Sequence, residues 1–168
     1  MKLTTGVEQA ICILVLLATQ ESNSPLASDE ISKKLEVSPS YMKKITRKLV
    51  VKSIINSVPG TKGGISLAKS LDDISMLDII EAMEGPIDIF PDSGLISKAF
   101  QEGLYAKKGE DLLRDLFHQA DDLLKEYFSK ITAADMLKAN FGTLNLPRID
   151  WNKGSLSEFV NQKSGEKN

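Results

Sequence analysis

Between Ser38 and Lys52 the chain carries a pattern that one kind of local structure satisfies. Ser38 suits a helix N-cap, and Pro39 suits the first helical position, where its missing N–H removes a donor that would have no partner anyway. Met42, Ile45 and Leu49 then recur at three and four residues as an inner face. Ser40, Lys43, Lys44, Arg47 and Lys48 follow the same rhythm on the other side. A helix over 39–52 must therefore bury one side on neighbours and hold four cations and a hydroxyl towards solvent.

The flanking signals place this helix second in a pair. Ser28 is read as the cap of a short helix whose Ile31 and Leu35 face inward, and the break at Glu36-Val37 leaves a connection of about three residues, the spacing of a helix-turn-helix. After it come the β-branched stretches Ile54–Val58 and Ile65–Ala68, separated by Pro59-Gly60-Thr61-Lys62-Gly63-Gly64, which predict a hairpin. The glycines lack the G-x-x-x-x-G-K-[ST] spacing and no helix opens after them, so a phosphate loop is rejected. A helix-turn-helix followed by a glycine-rich hairpin is the winged-helix order, with a first helix over Thr5 to Thr19 and a fourth opened by Ser75-Met-Leu-Asp78 and ended by Gly85-Pro86.

Beyond Pro86 the pattern weakens from Ile87 to Gly109, with one short helix around Leu95 to Tyr105. Periodicity returns in a long helix, where Leu113, Phe117, Ala120, Leu124, Tyr127 and Ile131 form a heptad seam and Leu112, Leu116, Leu123 and Phe128 a second stripe. One stripe can serve the chain's own core; the other is met by a second copy, or by a wholly intramolecular packing. The six seam residues are the candidate dimer contacts. The predicted fold is mainly α with a small β-hairpin, divided into a winged helix-turn-helix domain (1–86), a connector (87–109) as the expected effector region, a dimerisation helix (110–139) and an extension (140–168) with Trp151 partly packed and a frayed end.

Charge sharpens the functional reading. The whole chain has a net charge of -2, yet Lys33 to Lys69 carry nine positive residues against Glu36 alone, a local +8. An acidic protein with one basic island suits a polyanion. The chain has one Cys (Cys12) and one His (His118), too few for a closed zinc site or a cysteine-ligated cluster, so neither metal nor cofactor is expected. Cys12 sits inside the apolar run Ala10 to Ala18, expected to be buried and inert; that run is about half of what a membrane span needs, and a cytoplasmic protein without membrane contact is expected. Asp72, Asp73, Asp78 and Glu81 are read as helix N-terminal acids rather than catalytic carboxylates, and His118 as a surface residue, so no enzyme is expected.

Taken in order, Ser38-Pro-Ser-Tyr-Met42, Gly60-Thr-Lys-Gly-Gly-Ile-Ser-Leu-Ala68 and Ile80-Glu-Ala-Met-Glu-Gly-Pro86 resemble the Rrf2 family of bacterial winged-helix transcription regulators, from Met1 to about Leu137. The resemblance implies a homodimeric regulator, a repressor, on a pseudo-palindromic operator, with helix 39–52 in the major groove and the wing 54–68 near the minor groove. The chain departs from it where cluster-bearing members place three cysteines, since Ile87 to Gly109 has none, and at Pro59, where an arginine often precedes the first glycine.

The expected DNA contacts are Ser38, Ser40, Tyr41, Lys43, Lys44, Arg47, Lys48, Thr61, Lys62 and Gly63. The cations neutralise phosphate, while Arg47 and Ser40 also reach base edges. Tyr41 either contacts the backbone of DNA or packs beneath the wing. Thr4 and Thr5 are read as caps first. The alternative function is a winged-helix module docking an acidic protein, and an unidentified small molecule or protein is the expected effector.

Overall fold

The computed structural model describes residues 2–21, 24–60, 63–101, 103–143, 145–146 and 148–155. Helix α1 (Thr5–Thr19) starts at Thr4, whose hydroxyl accepts from the Gly6 N–H and whose own N–H donates to Glu84 at 3.0 Å, so capping is the job of Thr4. Val7, Ala10, Ile13, Leu14 and Leu17 of α1 are buried. That inner face leaves Glu8 and Cys12, four residues apart, on the outside. The expected burial of Cys12 is thereby corrected: its side chain is exposed, because the helical period and not the local apolar run decides its side. Desolvation by the surrounding apolar groups, followed by the charge of Glu8, still pushes its thiol above the usual range, so the thiolate is scarce.

Helices α2 (Ser28–Lys34) and α3 (Pro39–Val51) form the helix-turn-helix. Ser28 is the first residue of α2 rather than its cap; Ala27 holds the cap position and offers no side-chain acceptor. In the turn, Glu36 adopts φ 53°, its N–H donating to Lys33 O and the Val37 N–H to Ser32 O. At the end of α3, Ser53 repeats this, with φ 53°, its N–H on Val50 O and the Ile54 N–H on Leu49 O. Both helices thus end in Schellman motifs without glycine.

Strands β1 (Ile55–Val58) and β2 (Gly64–Leu67) pair antiparallel, Ile55 opposite Leu67 and Val58 opposite Gly64. Leu26 adds a single bridge to Ile65, with N–H to O distances of 2.8 and 2.9 Å. Gly64 permits this approach, since a Cβ there would lie 2.6 Å from Leu26 O. Helix α4 (Met76–Glu84) has the predicted Ser75–Asp78 capping box and stops at Gly85, φ 90°. Ile31, Met42, Ile45, Leu49, Ile54, Ile65, Ile74, Ile79 and Ile80 meet α1 in one core.

The connector is less irregular than its composition suggests. It holds helix α5 (Leu95–Ala99), and helix α6 runs Leu104–Ser129, starting six residues before the predicted Glu110. At the other end, the span 110–139 expected for the dimerisation helix holds two helices, α6 ending at Ser129. Thr132 and Asp135 form a capping box that opens helix α7 (Ala133–Phe141), and the Ile131 carbonyl accepts from Met76 rather than from a following helical turn.

The connector lies antiparallel along α6. The Ile89 N–H donates to buried Asp121 at 3.1 Å, Phe90 stacks on Phe117 with ring centroids 4.7 Å apart, and Asp92 pairs with Arg114 at 2.6 Å. The Ser97 N–H donates to Glu110 at 2.9 Å. These contacts occupy the face to which the dimer seam was assigned. Leu113, Phe117, Ala120, Leu124 and Ile131 are half-buried within the chain, and of the six seam residues Tyr127 alone is exposed. Leu112 (69% exposed), Leu116 and Leu123 (68%) stand in solvent beside Tyr127.

After α7 the chain returns to the end of α1. Ile149 bridges Gln20 in parallel, and Ile149 and Trp151 enter the core, so the extension is packed more tightly than expected.

Candidate nucleic-acid interface

Helix α3 presents the predicted face. Its cap forms as expected, the Ser38 hydroxyl accepting from the Tyr41 N–H at 3.2 Å and lying 3.1 Å from the Ser40 hydroxyl. Ser38 is thereby occupied, while Ser40, Lys43, Lys44 and Arg47 are exposed together above buried Met42, Ile45 and Leu49. Tyr41 is 38% exposed.

The basic island divides into two groups. Lys33 pairs with Glu30 at 2.6 Å, Lys52 with Glu81 at 3.2 Å and Lys69 with Asp78 at 3.6 Å. Lys34 donates to Gly154 O, and Lys48 donates to Met83 O at the end of α4, where a cation suits the helix terminus. Lys48 is therefore turned to an internal acceptor rather than held free on the outer face. Among the described residues Lys43, Lys44 and Arg47 take no such partner. Their charges are the ones available to a ligand.

Ser28 and Asp29 of α2, Pro39, Met42, Lys43, Thr46, Arg47 and Val50 of α3 and Ser57 of β1 line an open cleft of about 390 Å³. The groove joins the helix-turn-helix to the wing. Asp29, Thr46 and Ser57 were not among the predicted contacts. Asp29 had a signal in its place in the first helical turn, but nothing in the sequence brings Ser57 across to α3. At the wing tip Gly63 is half-buried and its N–H donates to Gly60 O at 2.9 Å, which closes the turn. Thr61 and Lys62 lie outside the described residues.

The Rrf2 family profile, described as an iron-dependent transcriptional regulator, matches residues 3–139. This chain belongs to the Rrf2 family. Among its relatives, YffB of Lactococcus lactis, a candidate HTH-type transcriptional regulator, is 32% identical over 162 residues, covering 96% of this chain and 99% of that one. YwgB of Bacillus subtilis, described in the same terms, is 43% identical over 101 residues, 60% of this chain and 65% of its own length. The fold is shared with the crystal structure of a candidate transcriptional regulator from Lactobacillus plantarum, TM-score 0.60 and 22% identity over 97% of this chain and 99% of that one.

The chain is thus an Rrf2 transcriptional regulator of the helix-turn-helix type, a DNA-binding protein and not an enzyme. Of the carboxylates read as helix N-terminal acids, Asp78 caps α4, whereas Glu81 lies beyond the first turn and pairs with Lys52 instead. The iron named in the family description finds no fitting donor set. Cys12 and His118 are the chain's only Cys and His, and the described residues contain no group of three His, Cys, Asp or Glu side chains that could hold a metal. No described helix is long and apolar enough to cross a membrane.

Proposed function

We propose that this Rrf2 regulator works as a cytoplasmic homodimeric repressor on a pseudo-palindromic operator, with α3 in the major groove and the wing beside it. The observation that carries the reading is the division of the island: Lys43, Lys44 and Arg47 stand free and exposed on one face of α3, while Lys33, Lys48, Lys52 and Lys69 are held by the chain itself. Lys43, Lys44 and Arg47 are the proposed phosphate contacts, Arg47 and Ser40 also reach base edges, and Lys62 and Thr61 are the wing contacts. The three free cations of α3 in each protomer, doubled by symmetry, would by themselves release counterions from about six phosphates and give a slope of log K against log salt near -5, which the Lys62 contacts would steepen.

For the dimer we infer the stripe Leu112, Leu116, Leu123 and Tyr127 of α6, which is exposed at steps of four and seven. It replaces the half-buried seam as the candidate contact. The connector is the proposed receiver of an effector, because Ile87 and Ile89 pack with the DNA-reading core while Phe90 and Asp92 hold α6.

The test is selection of bound sequences from a random duplex pool, followed by a salt titration on the selected site. A palindromic consensus with a slope of about -5 or steeper is expected. Failure to enrich any sequence, with binding insensitive to salt, would favour docking to an acidic protein instead.

A further inference from the structure

The segment after α7 makes contacts that DNA binding by α3 does not explain. Arg148 reaches the end of α1, its guanidinium donating to Ala18 O and Gln20 O at 3.3 Å each. Ile149 pairs with the backbone next to it, its N–H on Thr19 O at 2.9 Å and its carbonyl accepting from Glu21 at 3.0 Å. Trp151 is 9% exposed; its indole N–H donates to the Thr19 hydroxyl at 2.9 Å and its backbone N–H to the Gln20 side chain at 3.0 Å. Lys34, on the last turn of α2, lies 4.9 Å from the Trp151 ring centroid.

Asn152 makes the most specific contact. Its side-chain oxygen accepts the Ala27 N–H at 2.9 Å and its side-chain amide donates to Pro25 O at 3.2 Å. Ala27 is the N-cap of α2 and has no side chain with which to satisfy the helix start. Between those two residues, Leu26 points the other way and bridges the wing residue Ile65. The short run from Pro25 to Ala27 is therefore gripped on one side by Asn152 and on the other by the wing, and α2 and α3 follow directly.

We propose that residues 148–154 are a positioning strap for DNA reading, in which Asn152 and Trp151 fix the posture of α2, and with it α3, relative to the wing. The strap lies beyond residue 139, where the family profile ends. The proposal rests on DNA binding through α3. Its physical consequence is a difference between two kinds of contact. Phosphate attraction is long-ranged and tolerates a small displacement of α3, whereas hydrogen bonds to base edges do not. Loosening the strap should cost sequence discrimination and leave general DNA affinity in place.

The experiment uses the full chain, the selected operator and a random duplex of equal length. Asn152→Ala is expected to weaken operator binding roughly tenfold, the scale of one lost hydrogen bond to a helix start, while random-duplex binding stays within about twofold. Asn152→Asp keeps an acceptor for the Ala27 N–H but loses the donor to Pro25 O and sets a carboxylate oxygen against that carbonyl, so it should recover only part of the loss. Trp151→Phe keeps an aromatic ring in place but loses the indole donor to Thr19 and part of the buried surface, and it should move in the same direction, which serves if the alanine variant folds poorly. Amide exchange at Ala27 should quicken in the alanine variant and not in the aspartate variant. Unchanged operator affinity despite faster exchange would overturn the proposal and leave the strap a stabilising device. Equal losses on operator and random duplex would overturn it too. If the wild-type chain prefers no sequence over random duplex, DNA reading itself fails and the strap proposal falls with it.

Discussion

Glu36, Ser53 and Gln101 carry a left-handed backbone conformation that their types disfavour. Glu36 and Ser53 both sit at φ 53°, at the position of their Schellman motifs where glycine is the usual occupant. The left-handed region costs a non-glycine residue roughly 1–2 kcal/mol, partly offset because glycine would leave the unfolded chain freer. Glu36→Gly and Ser53→Gly should each stabilise the protein by up to about 1 kcal/mol, read as a higher Tm. A fall in Tm for both would mean that the turns hold their shape by contacts of the Glu36 and Ser53 side chains. The sequence marks where both helices end but not the left-handed form of the turns, because the glycine that normally announces it is missing. Cys12 went astray for a related reason. Its neighbours in sequence are apolar, but its neighbour on the helix face is Glu8.

At the level of elements, the N-termini of α4 and α7 are joined. The Met76 N–H donates to Ile131 O and the Ala133 N–H to Ile74 O, both at 2.8 Å, so the two capping boxes stand side by side. Burial pushes Asp78 up, but hydrogen bonds from Ser75 and the charge of Lys69 outweigh it and hold the carboxyl below its ordinary range. The backbone and side-chain donors of Thr132 lower Asp135 in the same way. A carboxyl with a depressed folded pKa stabilises fully above the unfolded value, about 3.9, and loses that contribution as pH falls through the folded value. Thermal unfolding should therefore drop in temperature below about pH 4, and Asp135→Asn should flatten part of that drop. An identical pH profile in the variant would show that the α7 box does not contribute.

Helix α6 offers a second test at this scale, since its two stripes have different employers. Leu116→Glu places a charge on the exposed stripe, and sedimentation should report folded monomers; Leu124→Glu places one on the half-buried stripe and should cost several kcal/mol of stability, because an unpaired carboxylate is poorly tolerated beside apolar neighbours. Dimers that survive Leu116→Glu would move the interface elsewhere. Periodicity revealed that α6 has two apolar stripes but not which of them faces inward. Asp121, Phe90 and Asp92 decide that, and they come together only when the connector folds back along the helix.

For the whole molecule, the distribution of free charge makes a prediction that the net charge does not. Arg47→Ala and Lys43→Ala should each lower the salt slope by about 1 per protomer, whereas Lys52→Ala, whose charge is taken by Glu81, should leave it nearly unchanged. Equal changes for all three would show that the island acts as a diffuse field rather than through α3. The sequence by itself determined the helix-turn-helix, the hairpin, three of the four winged-helix N-caps and the cationic face of α3, because each rests on spacing within one helix or turn, where the backbone period fixes what residues share. Only the tertiary structure decided which cations stay free, which side of α6 is spent on the connector, and that Asn152 completes the start of α2 across 125 positions of sequence. Those contacts join segments whose local patterns carry no mark of one another, so they exist only once the core has brought the segments together.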